Sequence, residues 1–154
     1  MTAPFFARGG GWVLGQSVLV LAVIVLAAAF HDHGHRLAVI IPGLVLLAVG
    51  GVFGIAGAIA LKTNLTPFPK PRPESRLIQS GIYSRVRHPL YTSVILASLG
   101  WALLWQSWPA LLAAFALGPF FNAKARREER WLREMFPDYA SYEKRVKRFL
   151  PWIY

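Results

Sequence analysis

The sequence contains no cysteine, which excludes disulfides, thiol nucleophiles and cysteine metal sites. Acidic residues are also few: seven Asp and Glu stand against 17 Lys and Arg, a formal net charge of +10. Long stretches lack charge altogether, and most charges lie in 62–87 and 124–148. Because a charged side chain at the centre of a bilayer costs at least ~2.5 kcal/mol, this separation is typical of a membrane protein.

The basic excess could indicate nucleic-acid binding, but no nucleic-acid motif accompanies it. Lys and Arg residues that flank membrane helices and meet anionic headgroups account for it better. We therefore expect membrane lipids, and no nucleic acid, as partners.

Four nearly uncharged segments predict membrane-spanning helices, at 12–30, 37–61, 89–105 and 108–123. The first reaches about 28 Å at 1.5 Å per residue, enough for the hydrocarbon core. Arg8 and the alanines at 27–29 would also suit a signal peptide, but the apolar run is longer than a usual signal core, so we expect a retained helix. The last two segments are short, and the two-residue connection between them predicts an antiparallel hairpin.

Glycine and proline add local expectations. Gly50 and Gly54 form a Gly-x-x-x-Gly pair that permits close helix contact, either within this chain or with a second copy in a homo-oligomer. Gly118-Pro119 predicts a kink in the fourth segment. The region 62–83 holds four prolines and predicts an ordered, irregular loop against the membrane face. From 124 onward the chain is amphipathic, and Pro137 should separate one helix from a second short helix at 139–149.

Charge counting predicts the orientation. The turn between the first two helices carries Arg36 against Asp32, and the second turn carries no charge. The proline loop and its extension to 87 carry six Lys or Arg, and the tail carries nine. Positive-inside logic then places both termini and the proline loop in the cytoplasm. We expect an all-α integral protein of a bacterial inner membrane, forming a single domain over 1–154.

The run 81–91 (GIYSRVRHPLY) is the first candidate for chemistry. Pro89 at a helix start leaves free backbone amides, and Arg87 adds a forked donor for a carboxylate. His88 can donate or accept a hydrogen bond near neutral pH. The alternative is juxtamembrane charge beside an interfacial tyrosine.

Two tail motifs carry further candidates. Glu128 and Glu129 point about 100° apart on a helix, so one of them should face a site, where it could bind ribose hydroxyls or an ammonium group. The alternative is an exposed face with local Glu–Arg pairs. Tyr139 and Tyr142 share a helix face and could cover an adenine ring or anchor the tail in the headgroup layer.

A histidine tract, His31, His33 and His35 with Asp32, could bind metal. Alternate residues on a short flexible turn rarely form a preorganised site, and this turn lies opposite the other motifs. We therefore expect no metal site there.

Together these motifs resemble the isoprenylcysteine carboxyl methyltransferase family and its bacterial relatives, which share features with phospholipid N-methyltransferases. The resemblance covers 64 to the C-terminus, with its site segments at 64–93 and 122–154. The matching residues are Gly81, Tyr83, Arg87-His88-Pro89-Leu90-Tyr91, Glu128-Glu129-Arg130-Trp131-Leu132, Phe136-Pro137-Asp138-Tyr139, Tyr142, Arg148 and Pro151.

The resemblance implies a helical membrane methyltransferase that uses S-adenosylmethionine, and the chain contains no strand–Gly-rich-turn–helix unit for a soluble cofactor fold. The methyl acceptor would be a carboxylate, amine or thiol of a lipidic or small hydrophobic substrate. Ser93 departs from the family, where a glycine often follows the motif tyrosine by two residues, and could narrow the packing over the cofactor. By resemblance the catalytic residues would be Arg87, His88 and Glu129, and the cofactor-binding residues Tyr83, His88, Pro89, Tyr91, Glu128, Glu129, Tyr139 and Tyr142.

Two other interpretations remain open. One is a membrane reductase of the sterol-reductase type, which has a similar C-terminal layout but binds a nicotinamide cofactor. The other is a non-enzymatic membrane protein in which the motifs only anchor and pack.

Overall fold

The computed structural model describes residues 4–32, 34 and 36–151, and this part of the chain is helical without a β-sheet. The predicted all-α class is confirmed. His33, His35 and residues 152–154 lie outside the described residues. The five α-helices are α1 (Gly10–Ala29), α2 (Leu37–Leu61), α3 (Pro89–Leu104), α4 (Trp108–Met135) and α5 (Tyr139–Arg145).

Two helical stretches are long and apolar enough to cross a membrane: Gly10–Ala29, with mean hydropathy 2.3, and Leu37–Asn64, with mean hydropathy 2.5. Only 11% of an 18-residue window in each stretch is buried inside the protein, so the protein itself encloses few of their apolar side chains, as lipid-facing helices require. α3 is a shorter apolar helix. The first two predicted spans therefore have matching helices, and the third and fourth spans stay predictions.

The glycine face of α2 packs on α3. A Cβ atom added to Gly54 would lie 2.6 Å from Ser93 Oγ, and one added to Gly50 would lie 3.1 Å from the Ser93 carbonyl oxygen. On the other side, a Cβ on Gly100 would lie 2.6 Å from the Gly43 carbonyl oxygen. This face is occupied within one chain, so a homo-oligomer through α2 would need the exposed side of that helix. Ser93 packs against α2, whereas the family pattern predicted it close to the cofactor.

α4 contains two segments that the sequence analysis predicted separately, the span at 108–123 and the amphipathic helix that begins at 124. It runs through Pro119 as one helix from Trp108 to Met135. One continuous face stays buried along it, beginning with Ala110, Ala114 and Leu117 and ending at Glu129. α1 packs on this face through Val23. α3 and α4 form the predicted hairpin, in which the side chain of Ser107 accepts a hydrogen bond from the Ala110 amide.

The tail departs from its prediction beyond residue 145. α5 ends at Arg145, so the predicted helix over 139–149 is too long. The following residues are extended and lie parallel to the segment before α3. The amide of Arg87 donates to the Lys147 carbonyl oxygen at 2.8 Å, and the amide of His88 donates to the Arg148 carbonyl oxygen at 3.1 Å. These two hydrogen bonds tie the tail to the start of α3, and a parallel bridge pairs Val86 with Lys147.

Candidate active site

A pocket lies where the proline loop, the start of α3, the C-terminal half of α4 and α5 meet. Its walls surround about 830 Å³ of space, which includes the open solvent at its mouth. Among the predicted site residues, the wall contains Tyr83, Arg87, His88, Tyr91, Glu128, Tyr139 and Tyr142.

Two predicted residues, Pro89 and Glu129, do not line the pocket. Pro89 is buried at the first turn of α3, where its missing amide hydrogen leaves no bond unmade. The proline loop supplies wall residues that the sequence did not single out, among them Asn64, Phe68, Arg72 and Arg76. Only the placement of a site segment at 64–93 anticipated them.

Glu129 forms a buried hub behind the pocket wall, with only 1% of its side chain exposed. Arg87 donates to Oε1 from Nε at 3.1 Å and from Nη2 at 2.9 Å. Arg148 donates to Oε2 from Nη2 at 2.6 Å, and His88 Nε2 lies 3.1 Å from Oε1. Burial alone would raise the pKa of Glu129, but the hydrogen bonds from His88 and Arg148 and the charge of Arg87 hold it well below its usual range. Glu129 is thus an ionised anchor surrounded by cations.

Arg87 is also held by hydrogen bonds within the protein. Its Nη1 group donates to the carbonyl oxygens of Glu143 at 2.8 Å and Val146 at 2.5 Å, while Nε and Nη2 bind Glu129. Its side chain is 7% exposed. The guanidinium therefore fixes the end of α5 against α4, and its hydrogen-bonding capacity is largely spent within the protein.

Glu128 faces the pocket, with 24% of its side chain exposed. The Tyr91 hydroxyl donates to its Oε2 atom at 2.5 Å, and His88 Nδ1 lies 3.8 Å from the same oxygen. Burial raises the pKa of Glu128 above its ordinary value of 4.5, although His88, Tyr91 and Lys124 act in the opposite direction. The carboxylate nevertheless keeps acceptor capacity on the pocket side.

His88 connects the two carboxylates. Because Glu129 is ionised and has no proton to offer, His88 Nε2 must carry the hydrogen of their shared bond. Nδ1 then faces Glu128. The imidazole stacks on the Tyr91 ring, with 5.1 Å between centroids and an angle of 2° between the planes, so its orientation is fixed from both sides.

The two tyrosines of α5 differ in one decisive respect. The Tyr142 hydroxyl donates to the Tyr83 carbonyl oxygen at 2.6 Å. The Tyr139 hydroxyl is buried and has no hydrogen-bond partner within the described part of the chain. Burial raises the pKa of both phenols, so both remain protonated donors. Removing the Tyr139 hydroxyl would therefore break no hydrogen bond within the described residues, whereas removing the Tyr142 hydroxyl would break one.

Lys124 is a buried lysine behind the pocket, and the sequence did not reveal its contact with the proline loop. Its Nζ donates to Gln16 Oε1 of α1 at 2.6 Å and to the Pro67 carbonyl oxygen at 3.3 Å. Nearby, Arg8 lies over the Phe68 ring, 4.0 Å from its centroid. The proline loop is therefore held from behind by α1, α4 and the N-terminal segment. A lysine at the end of an apolar run carries no sequence signal that separates this role from topological charge.

The described residues contain no group of three or more His, Asp or Glu side chains suited to a metal ion. His31 lies at the opposite end of the helices, with Nδ1 2.9 Å from the Ala28 carbonyl oxygen.

Comparison with known proteins identifies the family. The model of the family described as phospholipid methyltransferase matches residues 38–139, about two thirds of the chain. The chain belongs to the phospholipid methyltransferase family. The match includes the start of α3 and the Glu128–Glu129 pair, so the family resemblance inferred from these motifs is confirmed. α1 and the Arg148 segment lie outside it.

Some relatives of this chain are named for metal resistance, and others are named for a methyltransferase reaction. The chain is 33% identical over 135 residues to the cobalt-zinc-cadmium resistance protein CzcN of Cupriavidus metallidurans, which covers 86% of the chain and 61% of that protein. It is 28% identical over 145 residues to the nickel-cobalt-cadmium resistance protein NccN of Alcaligenes xylosoxydans xylosoxydans, covering 94% and 64%. The chain thus spans less than two thirds of the length of both relatives.

A third relative is named for a reaction. The chain is 35% identical over 79 residues to the protein-S-isoprenylcysteine O-methyltransferase of Schizosaccharomyces pombe, covering 50% of the chain and 34% of that protein. The two candidate membrane helices fit a membrane-associated member of this family.

Proposed function

We propose that this chain is an S-adenosylmethionine-dependent methyltransferase that acts on a carboxylate, amine or thiol of a lipidic or small hydrophobic substrate at the membrane interface. The observation that carries the proposal is a pocket, lined by the motif residues Tyr83, His88 and Tyr91, that presents the Glu128 carboxylate. Family membership supports the reaction class.

The pocket fits the chemical groups of this cofactor. Glu128 can accept hydrogen bonds from an ammonium group or from ribose hydroxyls, and Tyr139 can donate one. The aromatic residues Tyr83, Phe136 and Tyr142 supply ring surfaces for a planar base. When bound, S-adenosylmethionine would supply an electrophilic methyl group.

The protein contributes alignment and exclusion of water. The Glu129 hub with Arg87 and Arg148 joins α4, the start of α3 and the tail into one rigid wall, and we assign Glu129 and Arg87 to positioning. A carboxylate nucleophile would need no general base. For an amine or thiol acceptor, Glu128 or His88 Nδ1 offers a proton acceptor within the pocket wall.

The pocket wall has an apolar part that could meet the apolar portion of a substrate. Leu61 at the end of α2 and Leu90 in α3 belong to it. We place the pocket at the cytoplasmic face of a bacterial inner membrane, with both termini on the same side, because the charges that favour the inside surround it.

Ligand-induced stabilisation tests the proposal. A ligand at 100 times its Kd stabilises the folded state by about 2.7 kcal/mol. S-adenosylhomocysteine should therefore raise the Tm of the detergent-purified protein by several degrees, and a nicotinamide dinucleotide should not. The opposite pattern would favour the sterol-reductase alternative, and no response to either ligand would contradict the proposal.

The methyl acceptor can be sought directly. Cells that express the chain and receive methyl-labelled methionine should accumulate label in a hydrophobic extract, and cells that express Glu128→Gln should not. The position of the label would distinguish O-, N- and S-methylation.

A further inference from the structure

The basic side chains that line the pocket differ in how much of their hydrogen-bonding capacity is already used. They are Arg72, Arg76, Arg87 and His88. Arg87 spends its donors on Glu129 and on two carbonyl groups of the tail, and His88 Nε2 is bound to Glu129. An anionic group in the pocket must therefore find its counter-charge elsewhere, although the family resemblance implied Arg87 for that role.

The two proline-loop arginines remain available. The guanidinium of Arg76 has no hydrogen bond or ion pair within the described residues, and Arg72 has only a long contact, 3.4 Å from Nη1 to the Thr63 carbonyl oxygen. Both side chains are exposed at the pocket mouth. Glu128 forms no ion pair with either of them.

The backbone beneath these arginines is anchored. Asn64 Nδ2 donates to the Arg76 carbonyl oxygen at 2.8 Å, and Ser75 Oγ donates to the Arg72 carbonyl oxygen at 2.7 Å. Leu77 packs against the cluster that contains Tyr139. The two exposed guanidinium groups therefore extend from an anchored backbone at the edge of the wall that contains Tyr139.

We propose that Arg76, assisted by Arg72, binds a carboxylate group of the ligand that occupies this pocket, and this rests on the proposed function. The pocket presents one carboxylate and two guanidinium groups that do not neutralise one another, which is complementary to an amino-acid head with both charges. The carboxylate belongs either to the amino-acid portion of the methyl donor or to the methyl acceptor. Arginine recognises both in the same way, by a forked pair of hydrogen bonds.

Binding measurements on two loop variants test the assignment. Arg76→Gln and Arg72→Gln would be compared with Lys70→Gln, which removes the same charge from the same loop but lies outside the pocket wall. Titration calorimetry would use S-adenosylhomocysteine and 5′-methylthioadenosine, which lacks the amino acid. We expect Arg76→Gln to raise the Kd of the first ligand about ten- to hundredfold, with a smaller rise for Arg72→Gln. The Kd of the second ligand, and both values for Lys70→Gln, should stay within about twofold.

Each outcome decides a separate point. If S-adenosylhomocysteine binding is unchanged in Arg76→Gln but the KM of N-acetyl-S-farnesylcysteine rises about tenfold, the carboxylate is that of the acceptor and the assignment still holds. If neither value changes, the assignment is wrong while the proposed function stands. If the unaltered protein binds no S-adenosylhomocysteine, both fail together. The Tm of each variant without ligand should equal that of the parent, which excludes misfolding as the cause.

Discussion

Glu128 and Glu129 are neighbours in α4, yet their carboxylates have opposite surroundings. Glu129 is buried against Arg87, Arg148 and His88, and Glu128 faces the pocket with a hydrogen bond from Tyr91. The helix turns by about 100° between them, so one can hold the protein together while the other meets a ligand. The two positions should therefore respond differently to the same substitution.

Glu129→Gln should destabilise the fold. Removing the charge takes away the carboxylate shared by Arg87 and Arg148 and leaves Arg87 with Glu143 at 3.6 Å; breaking a buried pair typically costs about 3–5 kcal/mol. The measurement is thermal or denaturant unfolding in one detergent. Glu134→Gln, a change at an exposed position of the same helix, serves as control and should leave the Tm nearly unchanged. Equal Tm values for the two variants would show that the Glu129 hub does not stabilise the fold.

Glu128→Gln should preserve the fold and weaken the binding of S-adenosylhomocysteine. The amide can still accept from Tyr91, but it loses the charge that attracts an ammonium group, so the Kd of S-adenosylhomocysteine should rise about tenfold or more. Calorimetry on the folded variant measures this. If Glu128→Gln binds as tightly as the parent, the pocket is not the cofactor site, whatever the family.

Tyr139→Phe and Tyr142→Phe form a matched pair, because both rings are buried in one cluster and only the hydroxyl is removed. Tyr142→Phe should lower the free energy of unfolding by about 1 kcal/mol, since the Tyr83 carbonyl oxygen loses its donor. Tyr139→Phe should keep or slightly increase stability while weakening S-adenosylhomocysteine binding. A loss of stability in Tyr139→Phe with no change in Kd would show that its hydroxyl serves the fold instead.

Sequence reasoning located the helices and the motif residues because both signals are local. Uncharged runs predicted segments that match α1, α2 and α3 within a few residues, and the proline at the start of α3 predicted that helix's beginning. The spacing of Tyr139 and Tyr142 correctly indicated a shared helical face. That only one of Glu128 and Glu129 would face a site followed from helix geometry alone.

Assignments that depend on distant contacts were beyond the sequence. The sequence predicted Arg87 as a free hydrogen-bond donor to a carboxylate. In the structure its Nη1 group donates instead to the carbonyl oxygens of Glu143 and Val146, which are 56 and 59 residues away. The family pattern predicted Ser93 close to the cofactor, but Ser93 packs against Gly50 and Gly54 of α2 and is not part of the pocket wall. Lys124 donates a hydrogen bond to Gln16, which is 108 residues away, and no local sequence pattern predicts such a pair.

Acid should unfold the protein partly through Glu129. Its pKa is lower in the folded protein than the ordinary 4.5, so its stabilising contribution is fully present above about pH 4.5 and is lost as the pH falls through the lower folded-state value. The difference in unfolding free energy between the parent and Glu129→Gln should therefore be constant from pH 7 to pH 5 and shrink below pH 4.5. Denaturant titrations at each pH measure it. A difference that stays constant down to pH 3 would contradict an ionised, paired Glu129.

Accessibility labelling can test the predicted orientation cleanly, because the chain has no cysteine of its own. Asp32→Cys places a thiol in the exposed turn between α1 and α2, and Ser80→Cys places one in the exposed proline loop. With the loop in the cytoplasm, a membrane-impermeant maleimide should label Asp32→Cys in intact spheroplasts and Ser80→Cys only after the membrane is opened. Both variants should label equally in detergent, which controls for thiol reactivity. Labelling of Ser80→Cys in intact spheroplasts would reverse the orientation and place the pocket where cytoplasmic S-adenosylmethionine cannot reach it.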